Sequence, residues 1–219
     1  GEMSTVVNFH KVVAVAGGFP VLAGLDIEIA KGEIVHLRGS NGAGKTSFMR
    51  VCAGLIPISD GDANVLGFDM RDDRRSPRRH IGLLGHDNHL YKDLWVQEHV
   101  EFRAAATGAE AGDAGSALRR VGLSDRLWSV PIERLSAGQR RRVAIASMLV
   151  GRPQLWLLDE PHAALDHEGR GLLDEILVEA ASSGATVVFA SHERDPSKSV
   201  ATRVVTLRGG RLMEDSGAA

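Results

Sequence analysis

The sequence predicts an α/β fold with a mixed sheet at its core, and three observations predict it. Short β-branched apolar runs recur along the chain: "TVVNF" (5–9), "EIVHLRG" (33–39), "LWLLD" (155–159), "TVVFAS" (186–191) and "RVVTLRG" (203–209). Segments of helical pattern separate them, as in a sheet joined by crossover helices. A glycine-rich loop follows the second run and precedes a helix-compatible segment, "TSFMRVCAGL". The stretch from Val96 to Val150 carries only helical patterns, which implies a helical lobe inserted into the sheet domain.

Taken in order, the chain opens on "GEMST", where residues 1–2 ahead of Met3 are expected to be a remnant of expression. "LDIEIAKGE" (25–33) alternates apolar and polar residues and turns at Lys31-Gly32, so it reads as a half-exposed antiparallel strand. "VQEHVEFRAAA", "GSALRRVGL" and "AGQRRRVAIASMLV" supply the helices of the middle third. The tail "RVVTLRGGRLMED" reads as a hairpin about Gly209-Gly210. The expected organisation is a single domain over 1–219, with its core in 1–90 and 150–219 and the helical lobe in residues 91–149. "RDDRRSPRRH" (71–80) reads as a solvated loop tip broken by Pro77, with a docking surface for an acidic partner as the alternative.

At 219 residues the chain can bury a proper core, and 43% hydrophobic with 25% charged residues argues against disorder. A net charge of −2 gives no global basic field for nucleic acid, so no nucleic-acid partner is expected. Cys52 stands alone, which excludes an intrachain disulfide and points to a reducing compartment. No apolar run reaches membrane-spanning length and no signal peptide opens the chain. The expectation is a cytoplasmic protein that serves any membrane process by docking on a partner.

The chemistry begins at "GSNGAGKT", which fits G-x-x-x-x-G-K-[ST] from Gly39 to Thr46 in strand–loop–helix context. Gly42 and Gly44 let the backbone turn tightly and aim N–H groups at an anion. The following helix adds partial positive charge at the same point. Lys45 reaches the β- and γ-phosphates and the Thr46 hydroxyl can ligate Mg²⁺. Gly39, Ser40, Asn41, Gly42, Ala43, Gly44, Lys45, Thr46 and Ser47 are therefore the expected nucleotide-binding residues.

"LWLLDEP" (155–161) ends an apolar strand in two carboxylates, which packing alone explains poorly. Beside a phosphate loop, Asp159 is expected in the Mg²⁺ shell and Glu160 as the base acting on the attacking water. A simple strand cap before Pro161 is the alternative. His192 ends another β-run; a histidine there is usually structural, yet beside the ends carrying Lys45 and Asp159-Glu160 it becomes a candidate γ-phosphate contact.

"LSAGQRRRVAIASML" (135–149) extends this to a family. With the phosphate loop, "LLDEPHAALD" (157–166) and "SH" (191–192), it resembles the ATP-binding subunits of ATP-binding-cassette (ABC) transporters over nearly the whole chain. That resemblance implies an ABC-type nucleotide-binding domain of the P-loop NTPase class: a mixed sheet core, an N-terminal antiparallel β-subdomain and the inserted helical subdomain. It implies ATP and Mg²⁺ as ligands and hydrolysis of ATP. It also implies a second ABC ATPase subunit (a homodimer) bound head to tail, and an integral membrane transporter subunit as partner at the cytoplasmic face. In such dimers the ATP is completed by the other subunit's signature motif, here Ser136, Gly138 and Gln139 at a helix start. Asp166 resembles the acid of the loop that crosses the dimer contact.

Three departures stand out. Ala137 replaces the signature's usual glycine, and His86 stands where the family has a glutamine. No aromatic residue stands near Ala16 to stack on adenine, which leaves Phe19 and Phe9, both equally open to a core role. "GSNGAGKTS", "LSAGQ" and the "GH" at 85–86 further resemble the ATP-binding subunit of the cytochrome c biogenesis transporter, often called the haem exporter. Related small bacterial exporter subunits share much of it. A soluble ABC ATPase acting on chromosomes or ribosomes is the competing function, but no heptad insert lies between Lys45 and Leu135 and each motif occurs once. A GTPase or small-molecule kinase lacks its N-K-x-D and leaves "LSAGQ" unexplained.

Overall fold

The computed structural model describes residues 4–192 and 199–217. Two sheets make its frame. The first is antiparallel, in the order β2-β1-β4-β5, formed by β1 (Thr5–Ala16), β2 (Phe19–Ala30), β4 (Asp60–Val65) and β5 (Phe68–Asp69). The second is mixed, in the order β10-β9-β3-β8-β7-β6, formed by β3 (Ile34–Arg38), β6 (Ile81–Leu84), β7 (Leu155–Asp159), β8 (Thr186–Ala190), β9 (Arg203–Arg208) and β10 (Arg211–Asp215). Within it β9, β3, β8, β7 and β6 run parallel, and β10 returns antiparallel through the Gly209-Gly210 hairpin. The helices are α1 (Lys45–Cys52), α2 (Val96–Ala106), α3 (Ala111–Arg120), α4 (Ala137–Leu149) and α5 (His167–Ser182).

The period of a strand divides the mixed sheet's side chains between two cores. Leu155 and Leu157 of β7 join Val35, Leu37 and Val188 against α1 (Phe48, Met49, Cys52) and the antiparallel sheet. Trp156 and Leu158 join Ile34, Val187 and Phe189 against α2 to α5. Because both faces are covered, β3, β7 and β8 are buried nearly end to end, which is why they read as continuous apolar runs. Burial pushes the Cys52 thiol far above its ordinary range, so it stays an inert core residue.

The structure differs from the sequence-based expectations in several places. The strands of 5–9 and 25–33 are the outer parts of two twelve-residue strands, β1 and β2. Helix α5 is the crossover expected between the runs of 155–159 and 186–191, where no segment was specified; Leu173, Ile176 and Leu177 bury at helical spacing. The basic run of 71–80 is no free loop tip: Arg74 and Arg78 donate to Gly54 O, and Arg78 also to Ala53 O, where α1 ends. Arg71 donates to Gly61 O. These guanidinium groups satisfy carbonyls that a short helix and an irregular strand leave over.

Candidate functional site

Parallel strands that share a sheet present their C-terminal ends on one side, and that is where the expected residues gather. The order β3-β8-β7 places β8 between the strand before the phosphate loop and the strand bearing the acids. The loop of residues 39–44 leaves β3 and enters α1, which starts at Gly44 (φ 109°) with no side-chain cap. A Cβ on Gly44 would lie 3.2 Å from Val21 O, Leu22 and Gly210, in a backbone conformation that side chains resist. The sequence has glycine here because β2 and the β9–β10 hairpin press on the loop. Ser40, Asn41 and Gly42 are exposed along it, while Ala43 is buried and its N–H donates to Ser40 O. Lys45 is 8% exposed and donates to Gly39 O, so its ammonium lies folded across the loop.

The Thr46 hydroxyl donates to Asp159 Oδ2 at 2.9 Å, which brings together the two groups expected to serve Mg²⁺. Glu160, one residue on, pairs with His192 Nε2 through Oε1 at 3.2 Å, so the two candidate catalytic side chains touch. Glu160 holds φ 48°, a left-handed conformation costing a non-glycine residue about 1–2 kcal/mol. Its N–H donates to Ala190 O at 2.9 Å, tying the turn to the end of β8.

One residue of this site went unremarked in the sequence. Arg141, 2% exposed on α4, donates from Nε to Pro161 O (3.3 Å), from Nη1 to Gly85 O (3.0 Å) and Asn88 Oδ1 (2.8 Å), and from Nη2 to Asp159 O (3.2 Å) and Glu160 O (2.8 Å). Burial lowers its pKa, and the charges of Asp159 and Glu160 oppose that. A signal existed: Arg141 shares the buried face with Ala144, Ile145 and Met148, at helical spacing. His86 itself is exposed, and Asn88 makes the contact from its loop.

Ser136, Gly138 and Gln139 lie elsewhere. Ser136 N-caps α4, its Oγ accepting from Gln139 N–H (3.2 Å) while Gln139 Oε1 accepts from Ser136 N–H (2.9 Å). A Cβ on Gly138 would lie 2.9 Å from Ala164 O, so this glycine is also fixed by packing within the chain. These residues line a cavity of about 520 Å³ with Arg126, Arg142 and Asp166, apart from the phosphate loop. Asp166 N-caps α5 through Gly169 N–H (2.8 Å) and pairs with Arg142 at 3.5 Å.

The two aromatic candidates separate cleanly. Phe9 is 2% exposed and packs edge-on against Phe48, centroids 5.2 Å apart, so it is a core residue and cannot stack on adenine. Phe19 is 74% exposed at the β1–β2 turn, on the strand whose Val21 and Leu22 press on Gly44. A cavity of about 1050 Å³ lies elsewhere, with none of the phosphate-loop residues and neither Asp159 nor Glu160 in its lining. It opens near the starts of β1, β7 and β8, with Lys31, Arg120 and Glu179 in its walls, and gathers none of the residues above.

No helix among the described residues is long and apolar enough to cross a membrane. No cluster of three or more metal-ligating His, Cys, Asp or Glu side chains exists among them either.

The chain is similar to known proteins over most of its length. The family model described as ABC transporter matches residues 22–163. The cytochrome c biogenesis ATP-binding export protein CcmA 2 of Cupriavidus metallidurans is 36% identical over 195 residues, covering 88% of this chain and 92% of that protein. The glutamine transport ATP-binding protein GlnQ of Escherichia coli is 34% identical over 218 residues, covering 96% and 90%. A solved ATP-binding subunit of an ABC transporter superposes with a TM-score of 0.87 at 25% identity, covering 97% of this chain and 90% of that one.

Proposed function

The chain belongs to the ABC transporter family, and on that premise we propose that it is the ATP-hydrolysing subunit of a membrane exporter serving cytochrome c assembly. It works as a head-to-tail dimer at the cytoplasmic face of the membrane, docked on a separate membrane-spanning subunit. The observation that carries this reading is the convergence at the ends of β3, β7 and β8: Thr46 against Asp159 at 2.9 Å and His192 against Glu160 at 3.2 Å, beside a phosphate loop whose helix start has no side-chain cap.

Each residue has a task. Backbone N–H groups of 40–47 and the Lys45 ammonium hold the β- and γ-phosphates. Thr46 and Asp159 offer hard oxygen donors of the kind that would hold Mg²⁺. An ion held there would supply positive charge to offset that of the phosphate oxygens. Glu160 accepts a proton from water as its oxygen attacks the γ-phosphorus, and the bond to the bridging oxygen breaks to leave ADP and phosphate. His192 orients Glu160 and the γ-phosphate, and Phe19 supplies the adenine face that the chain lacks near Ala16. Ser136, Gly138 and Gln139 complete the site of a second copy. The Ser136 hydroxyl accepts from Gln139 within its own helix, so its proton is left for a phosphate oxygen. The core of 1–90 and 150–219 and the lobe of 91–149 act as one cassette, the lobe passing closure to the membrane subunit.

The overall identities to an export and a glutamine-transport relative are close, so the sub-family rests on local features: Ala137, His86 and the phosphate-loop sequence. The test is expression beside integral membrane and cytochrome-assembly proteins from the same source. Co-purification with a membrane subunit that raises ATP turnover is expected. Failure to associate with any of them, while ATP is still hydrolysed, removes the cytochrome assignment.

A further inference from the structure

We propose that Arg141 is a positioning residue for hydrolysis: it fixes the turn that aims Glu160 and ties that turn to the loop after β6. This rests on the reading of Glu160 as the base.

A guanidinium carries five N–H groups, and all five of Arg141 are spent. Three carbonyls belong to consecutive residues, Asp159, Glu160 and Pro161, which make the turn beyond β7. The other two acceptors are Gly85 O and Asn88 Oδ1, from the loop that follows β6. Glu160 sits at φ 48°, a conformation that persists only where its surroundings impose it. Ala190 O holds it from the N–H side, and Arg141 holds it from the carbonyl side. The planar fork is what allows one side chain to span both loops, since a lysine ammonium has fewer donors and no fixed plane. Arg141 lies two residues past Gln139 in the same helix, so any movement of the signature end of α4 passes through this clamp to Glu160. None of the five acceptors belongs to the phosphate loop, and only Asp159 reaches it, through its own side chain to Thr46.

The consequence is a split between binding and turnover. A small displacement of a reacting group costs about 10²-fold in rate. Arg141→Gln therefore should lower kcat roughly 30- to 100-fold, with the Kd for ATP within about twofold of the parent. Arg141→Lys recovers part of kcat. Asn88→Ala, at a loop residue outside the core, lowers kcat several-fold, and has no added effect in the Arg141→Lys background because both act through one contact.

Single-turnover hydrolysis and nucleotide binding on the full-length protein decide the matter. If Arg141→Gln does not fold, Asn88→Ala and Arg141→Lys carry the test. Parent-like kcat in Asn88→Ala and Arg141→Lys overturns the proposal, as does equal loss of binding and turnover. Parent protein with no ATP hydrolysis, stimulated or not, instead removes the reading of Glu160, so the two failures are distinguishable.

Discussion

The N-termini of α1 and α4 both take a phosphate in the proposed function, but they are finished differently. Helix α1 begins at Gly44 without a side-chain cap, and its first residue, Lys45, adds a cation to a helix end that is already positive. Helix α4 begins with a complete capping box, Ser136 and Gln139 satisfying each other's backbone N–H groups. A box of this kind is worth on the order of 1 kcal/mol to the helix. In the proposed function the first terminus is therefore left for a ligand in its own chain. The second is self-sufficient alone, and in that reading it turns to a phosphate only when another copy delivers one. One site would then serve binding and the other assembly.

Glu160→Gln presses hardest on this comparison. Removing a general base costs about 10²–10⁴-fold in rate, so turnover should all but vanish. Binding at α1 is untouched, and the stalled ATP should hold two copies together through α4. Light scattering with ATP and Mg²⁺ checks this, and a strictly monomeric variant at every concentration would show that α4 never receives the nucleotide. Ser136→Arg should have the next largest effect: a bulky cation at the capped terminus blocks the dimer and cuts turnover about 10²-fold, while a lone subunit binds ATP as before. Loss of monomer binding in that variant would mean both termini serve one nucleotide within one chain.

Phe19→Ala sharpens the first terminus alone. Base stacking on an aromatic ring is worth about 1–3 kcal/mol, so ATP affinity should fall roughly tenfold with saturated turnover retained. Phe9→Ala should act on stability instead, lowering it by about 3–5 kcal/mol through a cavity beside Phe48. Unchanged nucleotide affinity in Phe19→Ala would leave the adenine without an aromatic partner from this chain.

What was legible in advance follows the range of the contacts involved. The phosphate loop, the acids after β7 and the signature residues declare themselves because their neighbours in sequence do the work. Phe9 and Phe19 could not be told apart, since both lie within seven residues of Ala16 in sequence and only packing against Phe48 separates them. Arg141 was hidden for a different reason: its five acceptors are mostly backbone carbonyls, which no side-chain pattern records, and they lie 18 to 56 residues away. The full lengths of β1 and β2 lay outside the runs of 5–9 and 25–33, because the two strands pair as one long hairpin that turns at Gly17-Gly18 with several register shifts.

The smallest effect expected concerns the cores beneath the two termini. The core under α1 is apolar, but the core under α4 contains His99 of α2, 2% exposed, with Nδ1 3.2 Å from Ser147 Oγ. Ser147 donates its own proton to Val143 O, so Nδ1 must be the protonated nitrogen and Nε2 the bare one. Nε2 has no hydrogen-bond partner among the described residues, and the ring lies against Tyr91. Protonating it would bury a charged N–H with no acceptor, and burial followed by the charge of Arg103 lowers the His99 pKa from 6.5 to about 4. Between those values the unfolded chain binds more protons than the folded one, so stability rises with pH across that window. The contribution is complete above pH 6.5 and is lost as pH falls toward 4. Thermal melts at pH 7.5 and 5.0 should therefore show a loss of a few degrees that His99→Gln diminishes, and hydrogen exchange should find it first in α2 and α4. Parallel melting curves for the two proteins would mean that the helices around α4 are as indifferent to acid as the core that carries α1.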